Sequence, residues 1–171
     1  MSTTIRPASP ATVQPGRLHS ARQLADLTLR LAANPAEWLA RVRLNAAGRW
    51  YEQIHLDDSH DVWVISWLPG QATGFHDHGE VNGAFAVVWG TLMERRVSGD
   101  LATGRVLAKP VGAGGSRAFG AGYIHDVRNA AASAVAVSVH AYSPPLTAMT
   151  RYDLTPDGGL VKLGTEGAAA W

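Results

Sequence analysis

Two histidines stand two residues apart in Gly70-Gln-Ala-Thr-Gly-Phe-His76-Asp-His78, and an apolar run, Ala84-Phe-Ala-Val-Val-Trp89, follows and stops at Gly90. This glycine-bounded, β-branched pattern suits a strand and not a helix. On a strand, residues i and i+2 share a face, so His76 and His78 aim their imidazoles the same way. Two neutral imidazoles meeting at one point are half of a transition-metal site. Two solvent-exposed strand histidines are the plainer alternative. His125 follows Gly120-Ala-Gly122-Tyr-Ile, and His140 sits in Ser138-Val-His140-Ala-Tyr142. In that alternating run Ser138, His140 and Tyr142 share one face. Turned inward, such a face is costly unless its groups bond each other or something between them. Turned outward, it needs no explanation. The opposite face, Val137, Val139 and Ala141, is only modestly bulky, which favours the inward reading.

Composition narrows the chemistry. The chain has no cysteine, so thiolate ligands, disulfides and a catalytic thiol are excluded, and any metal must be held by histidine and carboxylate. Fifteen Lys and Arg face 14 Asp and Glu, and no basic stripe suggests nucleic acid. No apolar run is long enough to span a membrane. The 171 residues are one domain's worth, with apolar material for one sizeable core. Residues 1–16 are rich in Thr, Pro, Ala and Ser and lack the apolar centre of a secretory signal. The expectation is a cytoplasmic monomer with a disordered tail at 1–17 and a single domain at 18–171, with helices over about 20–46 and a barrel over about 48–163.

The elements that must position these residues can be read in order. Ser20-Ala-Arg-Gln23 is a capping box, and Leu24, Leu27 and Leu31 repeat at helical spacing, predicting a helix over about 20–33. Asn34-Pro35-Ala-Glu37 is a second start signal, and Trp38, Leu39 and Val42 give an apolar side, predicting a second helix that ends before Gly48. A helical hairpin then covers something larger. From Trp50 the period becomes two. Strand signals fall at 50–56, 62–68, 74–78, 84–89, 91–97, 105–111, 115–119, 123–128, 134–142 and about 149–154, many of them separated by turn residues. Many short strands predict a mainly β, antiparallel sandwich or small barrel, wrapped by residues 147–171. Trp38, Trp63, Trp67 and Trp89 are read as packing residues; His19, His55 and His60 as surface groups; Arg95, Arg96 and Arg128 as solvated; and Asp77 as pointing away from any metal.

The motifs carry a resemblance. Gly70-x5-His76-x-His78, closed by Gly90, resembles the first cupin motif. Gly114-x5-Gly120-x-Gly122-x2-His125-x3-Asn129 resembles the second, with Gly120 where proline is usual. Within cupins, residues 48–150 resemble the cysteine dioxygenase family of thiol dioxygenases, through His76-Asp-His78, His125-x-Val127-x-Asn129 and Ser138-Val-His140-Ala-Tyr142-Ser-Pro-Pro. The resemblance implies a cupin-type antiparallel β-barrel or jelly roll. It implies one Fe(II) per chain held by His76, His78 and His125, with Ser138, His140 and Tyr142 as the catalytic network around it. The implied reaction joins a small thiol carboxylate and O2 into a sulfinic acid. A different metal-dependent cupin enzyme, or a cupin that binds a small molecule without catalysis, is the alternative.

Three departures refine that expectation. The carboxylate ligand of most cupins has no counterpart, since Asn82 and Gly83 occupy its place. Gly83 also stands where animal cysteine dioxygenases carry a cysteine that crosslinks to the tyrosine, so Tyr142 is expected uncrosslinked. In Tyr51-Glu-Gln53, Gln53 stands where cysteine-specific members carry a carboxylate-binding arginine. With Tyr51, Gln53 and Tyr142 as substrate contacts, the resemblance implies 3-mercaptopropionate or broad thiol use, since Gln offers a neutral amide and not a cationic fork.

Overall fold

The computed structural model describes residues 17–167. One α-helix, α1 (Ala21–Ala32), precedes eleven strands: β1 (Trp50–Leu56), β2 (Asp61–Trp67), β3 (Phe75–Asp77), β4 (Asn82–Trp89), β5 (Thr91–Ser98), β6 (Arg105–Gly112), β7 (Ser116–Phe119), β8 (His125–Arg128), β9 (Ala136–Ser143), β10 (Ala148–Leu154) and β11 (Leu160–Gly167). They form two antiparallel sheets, ordered β1-β2-β9-β4-β7 and β11-β10-β3-β8-β5-β6. Ile65, Trp67, Phe85, Val87, Leu92, Phe119 and Val127 fill the space between them.

The capping box closes the start of α1. The Ser20 hydroxyl accepts from the Gln23 amide at 3.4 Å, and the Gln23 side chain accepts from the Ser20 amide at 2.9 Å. Leu24 on this helix packs with Val62, Val64, Ala84, Val137, Val139 and Ala141, the outer face of the first sheet. Both faces of β9 are therefore buried, one by α1 and one by the barrel interior.

The second helix does not form. Residues Pro35–Glu37 and Leu39–Arg41 make two single 3₁₀ turns, and Val42 is already extended. The Asn34 side chain donates to Glu37 at 2.6 Å and caps no backbone amide, so the start signal is diverted into a side-chain contact. The outer cover is thus one helix and a strap, not a helical hairpin. Trp38 anchors the strap, buried, with its indole N–H donating to the Leu31 carbonyl at 3.0 Å.

Trp67 is fully buried, Trp63 only partly, and Trp89 is 64% exposed. The reading of Trp89 as a core or helix-packing residue is therefore corrected. A register shift between Val87 and Trp89, where β4 pairs with β9, breaks the alternation and turns that side chain out. Strand β11, whose polar residues hid it in the sequence, pairs along β10 at the sheet edge. No helix among the described residues is long and apolar enough to cross a membrane.

Candidate metal centre

His76 and His125 are direct Cα partners where β3 pairs with β8. His78 lies just past the end of β3. The register brings the three rings together, with centroids 4.7 Å (His76–His78), 4.8 Å (His76–His125) and 5.3 Å (His78–His125) apart. One nitrogen from each lies within 4.8 Å of the others, and all three side chains are buried.

The hydrogen bonds sort the ring nitrogens. His76 Nδ1 is 3.0 Å from the Gly74 carbonyl, which accepts, so Nδ1 carries the proton and Nε2 is the ligand atom. His125 Nδ1 is 3.0 Å from the buried Glu94 carboxylate, which leaves Nε2 for a metal. Among the described residues neither nitrogen of buried His78 has a hydrogen-bond partner. A buried polar group left so is costly, and a metal ion satisfies it. Burial pushes His76 and His78 well below the ordinary imidazole value, so both are neutral donors at neutral pH. Three imidazoles fit a divalent transition metal and leave positions open for exogenous ligands. Asp77, between the ligands, is directed away: its carboxylate accepts from the Gly79 amide at 2.8 Å and the Tyr152 hydroxyl at 2.5 Å.

Ser138, His140 and Tyr142 all face the barrel interior and are buried. The Trp67 indole N–H donates to Ser138 Oγ at 2.9 Å, Ser138 Oγ lies 2.8 Å from His140 Nε2, and His140 Nδ1 lies 3.4 Å from the Tyr142 hydroxyl. Burial lowers the His140 pKa to about 3, so the ring is neutral and carries one proton. Trp67 can only donate, so Ser138 accepts there, and its hydroxyl hydrogen goes to His140 Nε2, the one acceptor among these two neighbours. The proton then sits on Nδ1 and points at the Tyr142 oxygen, which makes the phenol a donor in its turn. Burial raises the Tyr142 pKa, so the phenol keeps its hydrogen. The Tyr142 and His78 rings lie tilted at 37° with centroids 5.0 Å apart, placing this chain of bonds against the metal ligands.

Gly83 pairs with Tyr142 across β4 and β9. A Cβ added to Gly83 would enter the Phe119 ring, so that ring fills the place a crosslinking side chain would need. Tyr51 and Gln53 lie on the same strand face as Ile65 and Trp63, and through them as Ser138 and His140. Gln53 faces Asp61, the partner of Tyr142 on β2; burial pushes the Asp61 carboxyl up, and Gln53 opposes that shift in part.

Three residues of the site escaped the sequence reading. Glu94 is a buried acid on the same strand face as Leu92, the one trace it leaves in the sequence. Arg49 and Arg151 both line the narrow pocket with His76, His125, His140 and Tyr142. Arg151 is the Cα partner of His76, a pairing that only the fold reveals. Arg95 and Arg128, expected in solvent, both bond buried Asp126, at 2.6 and 2.8 Å. A second group of possible ligands, His55, Asp57 and His60, spans the end of β1 and the β1–β2 turn. There Asp57 already accepts from His55, Ser59 and the His60 amide.

A double-layered β-barrel with three inward histidines defines a metal-binding cupin. Residues 15–155 match the family Cysteine dioxygenase type I, and the chain belongs to that family. Solved structures agree on the fold. A protein of Thermus thermophilus is 23% identical (TM-score 0.53; 63% of this chain and 94% of that one covered). An uncharacterized conserved protein with a double-stranded β-helix domain from Klebsiella pneumoniae is 15% identical (TM-score 0.52; 86% and 96% covered). An RmlC-like cupin of Desulfovibrio desulfuricans is 20% identical (TM-score 0.51; 63% and 93% covered). No curated protein matches the sequence.

Proposed function

We propose that the protein is a non-haem Fe(II) thiol dioxygenase that converts a small thiol carboxylate, 3-mercaptopropionate or L-cysteine, and O2 into the sulfinic acid. The observation that carries this reading is the three-histidine cluster backed by the continuous chain Trp67–Ser138–His140–Tyr142. Family membership supports dioxygenase chemistry.

In this reading His76, His78 and His125 would hold the iron, and Glu94 would orient His125 and raise its basicity. Bound Fe(II) would supply the thiolate binding and oxygen redox chemistry that no side chain here can. Both atoms of O2 join the sulfur and none leaves, so RSH and O2 give RSO2H with no external reductant. The protein's own groups hold and orient. His140 fixes the Tyr142 hydroxyl, which donates a hydrogen bond to substrate or oxygen beside the ligands. The surrounding Phe85, Phe119 and Val127 exclude water.

Oxygen uptake by iron-loaded protein against a panel of small thiols tests this, with products identified by mass. A thiol that consumes one O2 and gains two oxygen atoms is the expected result. Uptake with no thiol, despite a full complement of iron, would leave a different cupin enzyme or a binding protein.

A further inference from the structure

The seven histidines of the chain fall into two groups. Four are buried: His76, His78, His125 and His140. The other three, His19, His55 and His60, come from the residue before the Ser20 cap, the end of β1 and the β1–β2 turn, and they meet outside the barrel. The rings of His55 and His60 stack with centroids 4.5 Å apart, and His19 meets His60 edge-on at 4.8 Å. A cleft of about 340 Å³ between α1 and the turn, lined by His19, Gln23, Asp26, Arg30 and His60, opens this group to solvent.

The Asp57 carboxylate stands between two of these rings, with Oδ2 3.1 Å from His55 Nε2 and Oδ1 3.2 Å from His60 Nδ1. One ligand atom from each of the three residues lies within 4.8 Å of the others. Two ligands of one tetrahedral zinc ion, each about 2.0–2.1 Å from it, stand about 3.3 Å apart. The separations are therefore already those of a metal site, and a divalent ion would take the place of the hydrogens shared between carboxylate and rings. The turn fixes the carboxylate in that orientation. Its Oδ1 accepts from the Ser59 amide at 2.7 Å, the Ser59 hydroxyl at 2.7 Å and the His60 amide at 2.9 Å. Ser59 Oγ, 2.8 Å from His60 Nδ1, holds that ring in place as well. Imidazole and carboxylate together are the donor set of zinc and its neighbours, and not of Mg²⁺ or Ca²⁺.

We propose that His55, Asp57 and His60 form a second metal site, for a borderline divalent ion such as Zn(II), with His19 turning in as the fourth ligand. The site shares no residue with the three-histidine centre and does not depend on the reaction proposed there. Its place in the fold gives it a structural role. The His19 amide donates to Ser143 Oγ at 2.8 Å, and the Ser143 hydroxyl donates to the Ser59 carbonyl at 2.6 Å. An ion held by His19 and the turn together ties the start of α1 to the β1–β2 turn, across the residue that follows Tyr142.

The test uses untagged, iron-loaded protein dialysed anaerobically against graded free Zn(II). Both metals are counted by elemental analysis, and thermal unfolding is followed on the same samples. Wild type gains one zinc per chain, keeps its iron and unfolds at a higher temperature with zinc than without. His55→Gln and His60→Gln keep iron and lose zinc affinity by at least about tenfold, the smaller loss known for removing even an outer partner of a metal ligand. Zinc then no longer raises their melting temperature. His55 is exposed, so His55→Gln decides alone if His60→Gln does not fold. No zinc uptake, zinc that enters only by displacing iron one for one, or uptake unchanged in His55→Gln overturns the site. His19→Gln tests the tie to α1: zinc affinity lowered severalfold supports it, and unchanged affinity overturns it while keeping the three-ligand site.

Discussion

The Nδ1 of His125 lies 3.0 Å from the Glu94 carboxylate, one strand away and equally hidden from solvent. Glu94 is also held by Arg117 at 3.1 Å and by the Tyr123 hydroxyl at 3.3 Å, so it is fixed before any metal arrives. Replacing a carboxylate behind a histidine ligand costs about 10–100-fold in metal affinity. Glu94→Gln should show that loss in competition with a chelator of known affinity, while His76→Ala, His78→Ala and His125→Ala should lose most bound iron by elemental analysis. Full iron occupancy in a single-histidine variant would reject the ligand set.

Tyr142→Phe should keep iron and lose turnover. One transition-state donor is worth about a tenfold to thousandfold rate change. Trp67→Phe removes the donor that orders Ser138 and, through it, His140, so it should slow turnover by less and in the same direction. Steady-state rates with iron content measured on the same samples check both; full activity of Tyr142→Phe on every thiol would remove the role given to the phenol.

Acid should destabilise the metal-free protein early. Burial holds His76 and His78 well below 6.5 and His140 at about 3. In the unfolded chain each takes up a proton near 6.5, and in the folded chain it does so only at much lower pH. The folded state therefore binds fewer protons in that window. Stability is fully present above about pH 6.5 and is lost as pH falls toward the folded values, at about 1.4 kcal/mol per pH unit for each histidine. Urea unfolding at about pH 7, 6 and 5 should show this slope, reduced by about one histidine's share in His140→Gln.

Gly83→Cys should not generate a crosslinked tyrosine. Its Cβ meets the Phe119 ring, and overpacking of that kind costs about 1–3 kcal/mol. Intact mass should show no two-hydrogen deficit in wild type or variant, and the melting temperature of the variant should fall. A crosslinked, undestabilised Gly83→Cys would show that Phe119 yields.

The tryptophans should divide sharply. Trp67→Ala removes a fully buried side chain, at a cost of about 3–5 kcal/mol. Trp89→Ala touches a side chain that is 64% exposed and should change stability by no more than about 0.5 kcal/mol. Chemical denaturation of the two variants compares them directly.

The local patterns written in the chain were enough for its mainly β class, for α1 and its capping box, and for the strands carrying His76, His125 and His140. Alternation along a strand is a property of successive residues, so the shared face of Ser138, His140 and Tyr142 was legible before any coordinates. The second helix was not legible, because Asn34 had two possible partners and chose the Glu37 side chain over a backbone amide. Trp89 was misplaced because a bulge is a relation between two strands, not a pattern within one. Glu94 behind His125, Phe119 over Gly83, and Arg49 and Arg151 at the pocket lie on elements distant in sequence. Which residues meet across a barrel depends on register, and register is decided only when the sheets close around a shared core.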